Sequence, residues 1–249
     1  MSGHSKWHTI KHKKGAADAK RGKAFTRIIK ELTVAARNGG GDPASNPRLR
    51  TIIADAKANN MPRENIERAI RRGTGEEPGV SYEEITYEGY GPGGVALLIQ
   101  SLTDNKNRTV GEIRHMLAKY NGNLAAENSV AWMFSRKGQV IVEKAGVDEE
   151  KLLNAALEAG ADDVSDDGTV WDVVSAPEAF EGVRDAIKAL GIEPASAEVA
   201  MVPQNHIKIT GKDAQQMLKL MDALDDHDDV QHVWANFDIE EKEIEASLA

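Results

Sequence analysis

The hydrophobic period changes once along this chain, at residues 74–81 (TGEEPGVS), and that change limits the folds open to it. Before the break, apolar residues recur every three to four positions. Phe25, Ile28, Ile29, Leu32 and Ala36 share one helix face, and NGGGDP at residues 38–43 ends that helix. Asn46 reads as an N-cap with Pro47 in the first helical position, followed by a stripe of Leu49, Ile52, Ile53 and Ala56. A third helix is expected from Pro62, burying Ile66, Ala69 and Ile70 and stopping at Gly73. Three short amphipathic helices make a small bundle with a thin core.

After the break the period falls to two. Residues 85–87 and 95–99 read as strands, joined by the Gly-rich EGYGPGG of residues 88–94. A helix over residues 108–120 and strands over 129–134 and 139–144 follow. From Gln139 the order is regular: strand 140–142, helix 149–159, hairpin 162–174 turning at DDG, helix 178–190, strand 197–202. That is β-α-β-β-α-β, the split unit of a ferredoxin-like fold. Strand 206–210, helix 213–224 and strand 232–239 cannot make a stable sheet alone, but joined to residues 82–138 they complete a second sandwich.

The expected fold is therefore α+β multidomain: an N-terminal three-helix bundle plus two ferredoxin-like α+β domains, one inserted in the other. The expected boundaries are 1–78 for a basic arm and bundle, 79–138 with 204–240 for a discontinuous domain, 139–203 for the inserted domain, and 241–249 for an acidic tail.

Charge is segregated along the same division. Residues 1–73 hold 17 Lys/Arg against 6 Asp/Glu, a net of +11, whereas the remainder carries a net of -20 and the whole chain -9. A basic end on an acidic protein points to a polyanion partner. Lys6, Lys11, Lys13, Lys14, Lys20, Arg21 and Lys23 of the arm, with Arg27, are candidate phosphate contacts, and such binding releases counterions and weakens with salt. Trp7, set among these cations, either stacks on an unpaired base or packs against the bundle. Arg48, Arg50, Arg71 and Arg72 add cations on the bundle, although Arg71 and Arg72 also suit a helix C-terminus. The helix pair meeting at Asn59-Asn60-Met61-Pro62 has the outline of a helix-turn-helix without a distinct recognition helix.

Other motifs carry less. YEGYGPGG at residues 87–94 lacks the Lys-Ser/Thr ending of a phosphate-cradling loop; it is either a hairpin turn or a flexible tip bearing Tyr87 and Tyr90. In DNKNRT at residues 104–109, one polar residue should cap the following helix, and Asn105, Asn107 and Arg108 are possible RNA contacts. His4, His8 and His12 would share a helix face, but their Lys neighbours repel a metal ion. DVSDDG at residues 163–168 begins like a calcium loop and has Val174 where the bidentate Glu belongs. The acid clusters, including Asp225-Asp226 and Asp228-Asp229, read as solvated turns, and Trp132, Trp171 and Trp234 as core. No Ser elbow, HExxH or Cys is present, so disulfides and thiolate metal sites are excluded and nothing points to an enzyme, a metal or a cofactor. No 18-residue apolar run is present, so no membrane span is expected.

GHSKW (residues 3–7), DAKRGKAF (18–25), GGGDP (39–43), NPRLR (46–50), YEGYGPGG and DNKNRT occur together and in order over nearly the whole chain. In this the sequence resembles the YebC/PmpR family, which includes mitochondrial translational activators of cytochrome c oxidase. The start at MSGHSKW, without a presequence, resembles the bacterial form. The resemblance implies a helical domain plus two α+β domains and a cytoplasmic, non-enzymatic role in gene expression. Two roles come with it: DNA-binding transcriptional regulation at promoters, or a ribosome-associated factor that aids synthesis through proline runs. On the second, the arm would meet ribosomal RNA, and Tyr87, Tyr90, Asn105, Asn107 and Arg108 would reach toward it. The absence of a dimer helix or zipper suits a monomer. A small-molecule sensor, binding between the two α+β units, is a third reading.

Overall fold

A computed structural model of the protein describes Trp7 and residues 17–248. Helix α1 (Ala17–Gly39) ends where Gly40 enters the left-handed region at φ 84°. Asn46 fixes the start of α2 (Pro47–Ala58): its side-chain oxygen accepts the Leu49 N–H at 3.0 Å. Its amide donates back to the Ala35 and Gly40 carbonyls at 2.9 and 2.8 Å. One buried side chain thus joins the end of α1 to the start of α2. Helix α3 (Arg63–Thr74) crosses α1, and Leu32, Ala36, Leu49, Ile52, Ala56, Ile66 and Ala69 form the shared core. Gly73 does not stop α3 as expected; Gly75 does, at φ 83°. Gly73 instead sits where a Cβ would lie 2.4 Å from the Thr33 carbonyl oxygen, so its role is close helix approach.

Strands β1 (Glu83–Tyr90) and β2 (Ala96–Thr103) pair antiparallel, from Glu83 opposite Thr103 to Tyr90 opposite Ala96. Asn105 caps α4 (Lys106–Lys119) by accepting the Arg108 N–H at 3.1 Å. β3 (Asn123–Leu124) returns beside β1. The chain then builds β4 (Phe134–Glu143), α5 (Glu149–Glu158), β5 (Ala161–Asp167), β6 (Val170–Ser175), α6 (Phe180–Ala189) and β7 (Ser196–Pro203). These four strands form an antiparallel sheet in the order β5-β6-β4-β7. After β8 (Ile207–Lys208) and α7 (Gly211–Asp225), β9 (Val230–Ala235) joins β2, completing the sheet β3-β1-β2-β9. β10 (Phe237–Asp238) pairs parallel with β8.

The architecture is a three-helix bundle followed by two ferredoxin-like α+β domains, one inserted in the other. β2 is apolar on both faces because both are covered. On one side Leu97 and Ile99 meet Ile113 and Leu117 of α4 and Met217 and Leu220 of α7. On the other, Ala96 and Leu98 meet Val130, Phe134, Met201 and Trp234, which seats the inserted domain on this sheet.

Three stretches differ from the sequence expectations. Residues 129–133 are not a strand: a 3₁₀ turn at Ala131–Met133 precedes β4 and leaves Trp132 65 % exposed, whereas Trp171 is buried and Trp234 half-buried. Residues 87–90 of YEGYGPGG belong to β1, and the remaining turn is packed, with Pro92 buried and Gly91 against Met217. Residues 241–248, expected as an acidic tail, form α8 (Glu241–Leu248), held by the buried Ile244.

Candidate nucleic-acid interface

Helix α1 presents Lys23, Arg27 and Lys30, four and three residues apart, on one face. All three meet the acidic turn after α7. Lys23 Nζ lies 2.9 Å from Asp226 Oδ1, Arg27 Nη1 3.3 Å from Asp225 Oδ1, and Lys30 Nζ 2.8 Å from Asp229 Oδ1. Arg27 also donates to the Asp225 carbonyl. The aspartates read as solvated turns are therefore a docking surface for α1.

Asp229 is the centre of this dock. It is buried, and its Oδ2 accepts Arg108 Nη2 at 2.7 Å, Thr109 Oγ1 at 2.7 Å and Thr103 Oγ1 at 3.2 Å. Burial alone would raise its carboxyl, but the hydrogen bonds from Lys30, Arg108 and Thr109 outweigh burial and hold it well below the usual carboxylate range. His227 accepts the Asp229 N–H on Nδ1 at 3.1 Å, so its Nε2 carries the proton and donates to Glu112 at 2.8 Å. Glu112, His227 and Asp229 lie close enough to hold a metal ion, yet this tautomer and the two cations on Asp229 do not fit one.

These contacts redefine the candidate residues. Lys23, Arg27 and Arg108 are held by carboxylates of the same molecule rather than offered to phosphate. Arg48 is bound to Glu84 at 3.0 Å, Arg71 to Glu77 at 2.6 Å, and Arg50 donates to the Pro43 carbonyl at 3.1 Å. Arg72 is exposed and, among the described residues, makes no ion pair. Tyr87 is buried in the core, and Tyr90 is half-buried with its hydroxyl 3.4 Å from the Ser129 carbonyl; both belong to a packed strand instead of a free tip. Asn105 is spent as a cap, and Asn107 is exposed on the first turn of α4. Trp7 is 1 % exposed and packs in the core of the discontinuous α+β domain under α7, not against the bundle as expected. Lys6, Lys11, Lys13 and Lys14 lie outside the described residues, as do the side chains of Lys20 and Arg21.

The structure adds an aromatic surface that sequence reading placed in the core. Trp132 Nε1 donates to the Ser129 carbonyl at 3.0 Å, which satisfies its polar edge and leaves the ring outward. The turn that carries it is anchored by the buried Glu88, which accepts the backbone N–H groups of Asn128, Val130 and Ala131 at 2.6, 2.7 and 2.9 Å. Burial would raise the Glu88 carboxyl; those three backbone donors more than offset it and lower it.

Comparison with known proteins places this geometry. The family model described as TACO1/YebC protein N-terminal domain matches residues 5–76, and that described as TACO1/YebC second and third domain matches residues 82–237. A probable transcriptional regulatory protein of Geobacter sulfurreducens is 60 % identical over 98 % of this chain and 99 % of its own length. Another, from Geotalea uraniireducens, is 58 % identical over the whole of both chains. The crystal structure of a conserved hypothetical protein from Aquifex aeolicus, 46 % identical, superposes with a TM-score of 0.79 over 90 % of this chain and 92 % of that one.

Proposed function

Because the chain belongs to the TACO1/YebC family, we propose that it regulates gene expression by binding nucleic acid through its basic N-terminal region, without catalysis. The observation that carries this reading is the charge division, +11 over residues 1–73 against -20 over the rest. The dock sharpens it. Three cations of α1 are neutralised by the acidic turn, which turns that acid away from a polyanion and leaves the arm of residues 4–21 as the dense positive element. Its relatives' name, probable transcriptional regulatory protein, makes duplex DNA the first target. The working units are residues 1–78 as binder, and 79–138 with 204–240 and 139–203 as the acidic body, acting as a monomer in the cytoplasm. No helix among the described residues is long and apolar enough to cross a membrane.

The test is binding of labelled duplex DNA by the full chain between about 50 and about 200 mM salt. Lys11, Lys13 and Lys14 changed together to Glu should abolish binding while the thermal unfolding of the α+β body stays unchanged. Binding that survives the triple change overturns the arm as the binder.

A second reading, a translation factor on ribosomal RNA, is favoured by Trp132. An exposed indole with its N–H already satisfied can stack an unpaired base, which folded RNA offers and duplex DNA does not. Salt-sensitive co-sedimentation with ribosomes, lost on Trp132→Ala, would select it; wild-type protein left in the supernatant at low salt would reject it.

A further inference from the structure

Among the described residues, strand β9 stands at the edge of its sheet and pairs with β2 alone. Its ladder sets His232 opposite Gln100 and Val230 opposite Ser101, so Gln231 is an extra, unpaired residue. Such a β-bulge re-aims the side chain it carries. Gln231 is 7 % exposed, and neither its amide oxygen nor its amide nitrogen has a hydrogen-bond partner. A carboxamide buried with both ends open is met by water or by a guest that offers a donor and an acceptor.

The amide lines a cavity of about 170 Å³ where the bundle, the sheet of β9 and the inserted domain meet, together with Trp7, Arg27, Glu198, His232 and Trp234. A cavity of about 150 Å³ accommodates one six-membered aromatic ring. The His232 and Trp234 rings are stacked, with centroids 5.4 Å apart and planes 4° from parallel. The charges in the wall are already committed: Arg27 to Asp225, and His232 between Glu31 at 3.7 Å and Glu198 at 3.9 Å. No cation is left over for a phosphate or carboxylate, and Arg27 and His232 are matched in the same wall by Asp225 and Glu198, so no unpaired acid is left for a cationic guest. The guest that fits is neutral and planar, one ring wide, with a donor and an acceptor side by side. A Gln amide reads such an edge with two hydrogen bonds.

We propose that this cavity receives one unstacked pyrimidine base, its polar edge paired to the Gln231 amide, with the sugar and phosphates outside. The proposal rests on the nucleic-acid reading above and names a part of the surface that would hold a single-stranded segment.

The test uses the full chain in two arms. In the first, free uridine, cytidine and adenosine are titrated into isotope-labelled wild-type protein while the Gln231 side-chain amide resonances are followed. In the second, labelled single-stranded U, C, A and G hexamers are bound to wild type and to Gln231→Leu. The pyrimidine nucleosides should shift the Gln231 amide and adenosine should not. Gln231→Leu should weaken pyrimidine hexamers about tenfold, flatten the preference among bases, and leave the salt dependence unchanged. An amide unmoved by any nucleoside, in a cavity that holds water alone, overturns the proposal, as does a variant with wild-type preferences. Hexamers that bind while nucleosides leave Gln231 unmoved would refute the cavity and keep the nucleic-acid reading. Nucleosides that shift Gln231 while no hexamer binds would refute that reading and keep the cavity. The nucleoside arm needs no variant, so a misfolded Gln231→Leu does not block the decision.

Discussion

At the scale of single residues, this protein buries carboxylates and treats them differently. Glu88 and Asp229 are supplied with enough donors to stay charged. Asp172 is not. Among the described residues its side-chain donor is the Gln139 amide, with Nε2 2.9 Å from each carboxylate oxygen. Burial pushes its carboxyl up to about 6; the Gln139 bond opposes this, and the nearby Asp167 and Asp163 add to it. The fold holds the proton more tightly than the unfolded chain does. Stability from this group is therefore full below about pH 4 and falls as pH rises toward about 6. Asp172→Asn keeps an oxygen for Gln139 and stays neutral. It should raise stability by roughly 3 kcal/mol at neutral pH and by little near pH 4. Urea unfolding at the two pH values decides this; an equal effect at both would place the gain in something other than the charge.

At the scale of elements, apolar period was a good guide where one face is buried and a poor one elsewhere. The three helices of the bundle, the β-α-β-β-α-β order and the Asn46 cap follow from local chemistry, and they are where the sequence places them; the cap of α4, open among the polar residues of DNKNRT, falls to Asn105. Residues 129–134 misled because SVAWMF looks like a strand, while the turn there is set by Glu88, some 40 residues earlier. Gly73 misled for a related reason. A glycine near the end of a helical pattern reads as a stop, but this one is required by the crossing with α1. Gly73→Ala therefore sets two effects against each other. Helix propensity gains about 1 kcal/mol, while a Cβ 2.4 Å from the Thr33 carbonyl and 2.7 Å from the Ala36 Cβ forces the helices apart. Overpacking of that kind costs about 1–3 kcal/mol, and neither contact can be relieved by a rotamer change. The net expectation is a loss of about 1–2 kcal/mol in denaturant unfolding followed by helical circular dichroism; a more stable variant would show that the crossing yields easily.

At the scale of the whole molecule, the acidic body and the basic end are bound to each other by opposite charges, at the turn of Asp225, Asp226 and Asp229 and again between Arg48 and Glu84. This was not legible in the sequence. Lys30 and Asp229 are 199 residues apart, and nothing local distinguishes Asp229 from its solvated neighbour Asp228. Lys23, Arg27 and Lys30 stand at helical spacing, but nothing local gives the destination of that face. The members of the dock also differ in strength. Lys23–Asp226 is exposed and screened by salt, so it steers more than it holds. Lys30–Asp229 is buried and shares Asp229 with Arg108, so it resists salt. Asp229→Asn would leave the buried Lys30 without its countercharge, while Arg108 keeps Asp104 at 2.9 Å, and breaking a buried pair in this way costs about 3–5 kcal/mol. We expect that loss in global unfolding at neutral pH, together with faster amide exchange along α1. The difference between variant and wild type should shrink as pH falls below the usual carboxylate range, because the folded-state carboxyl of Asp229 is held below that of the unfolded chain and its contribution is lost as it takes up a proton. If α1 stays as protected in Asp229→Asn as in wild type, the bundle is held to the body by its apolar contacts. The acidic turn would then serve to neutralise α1 without anchoring it.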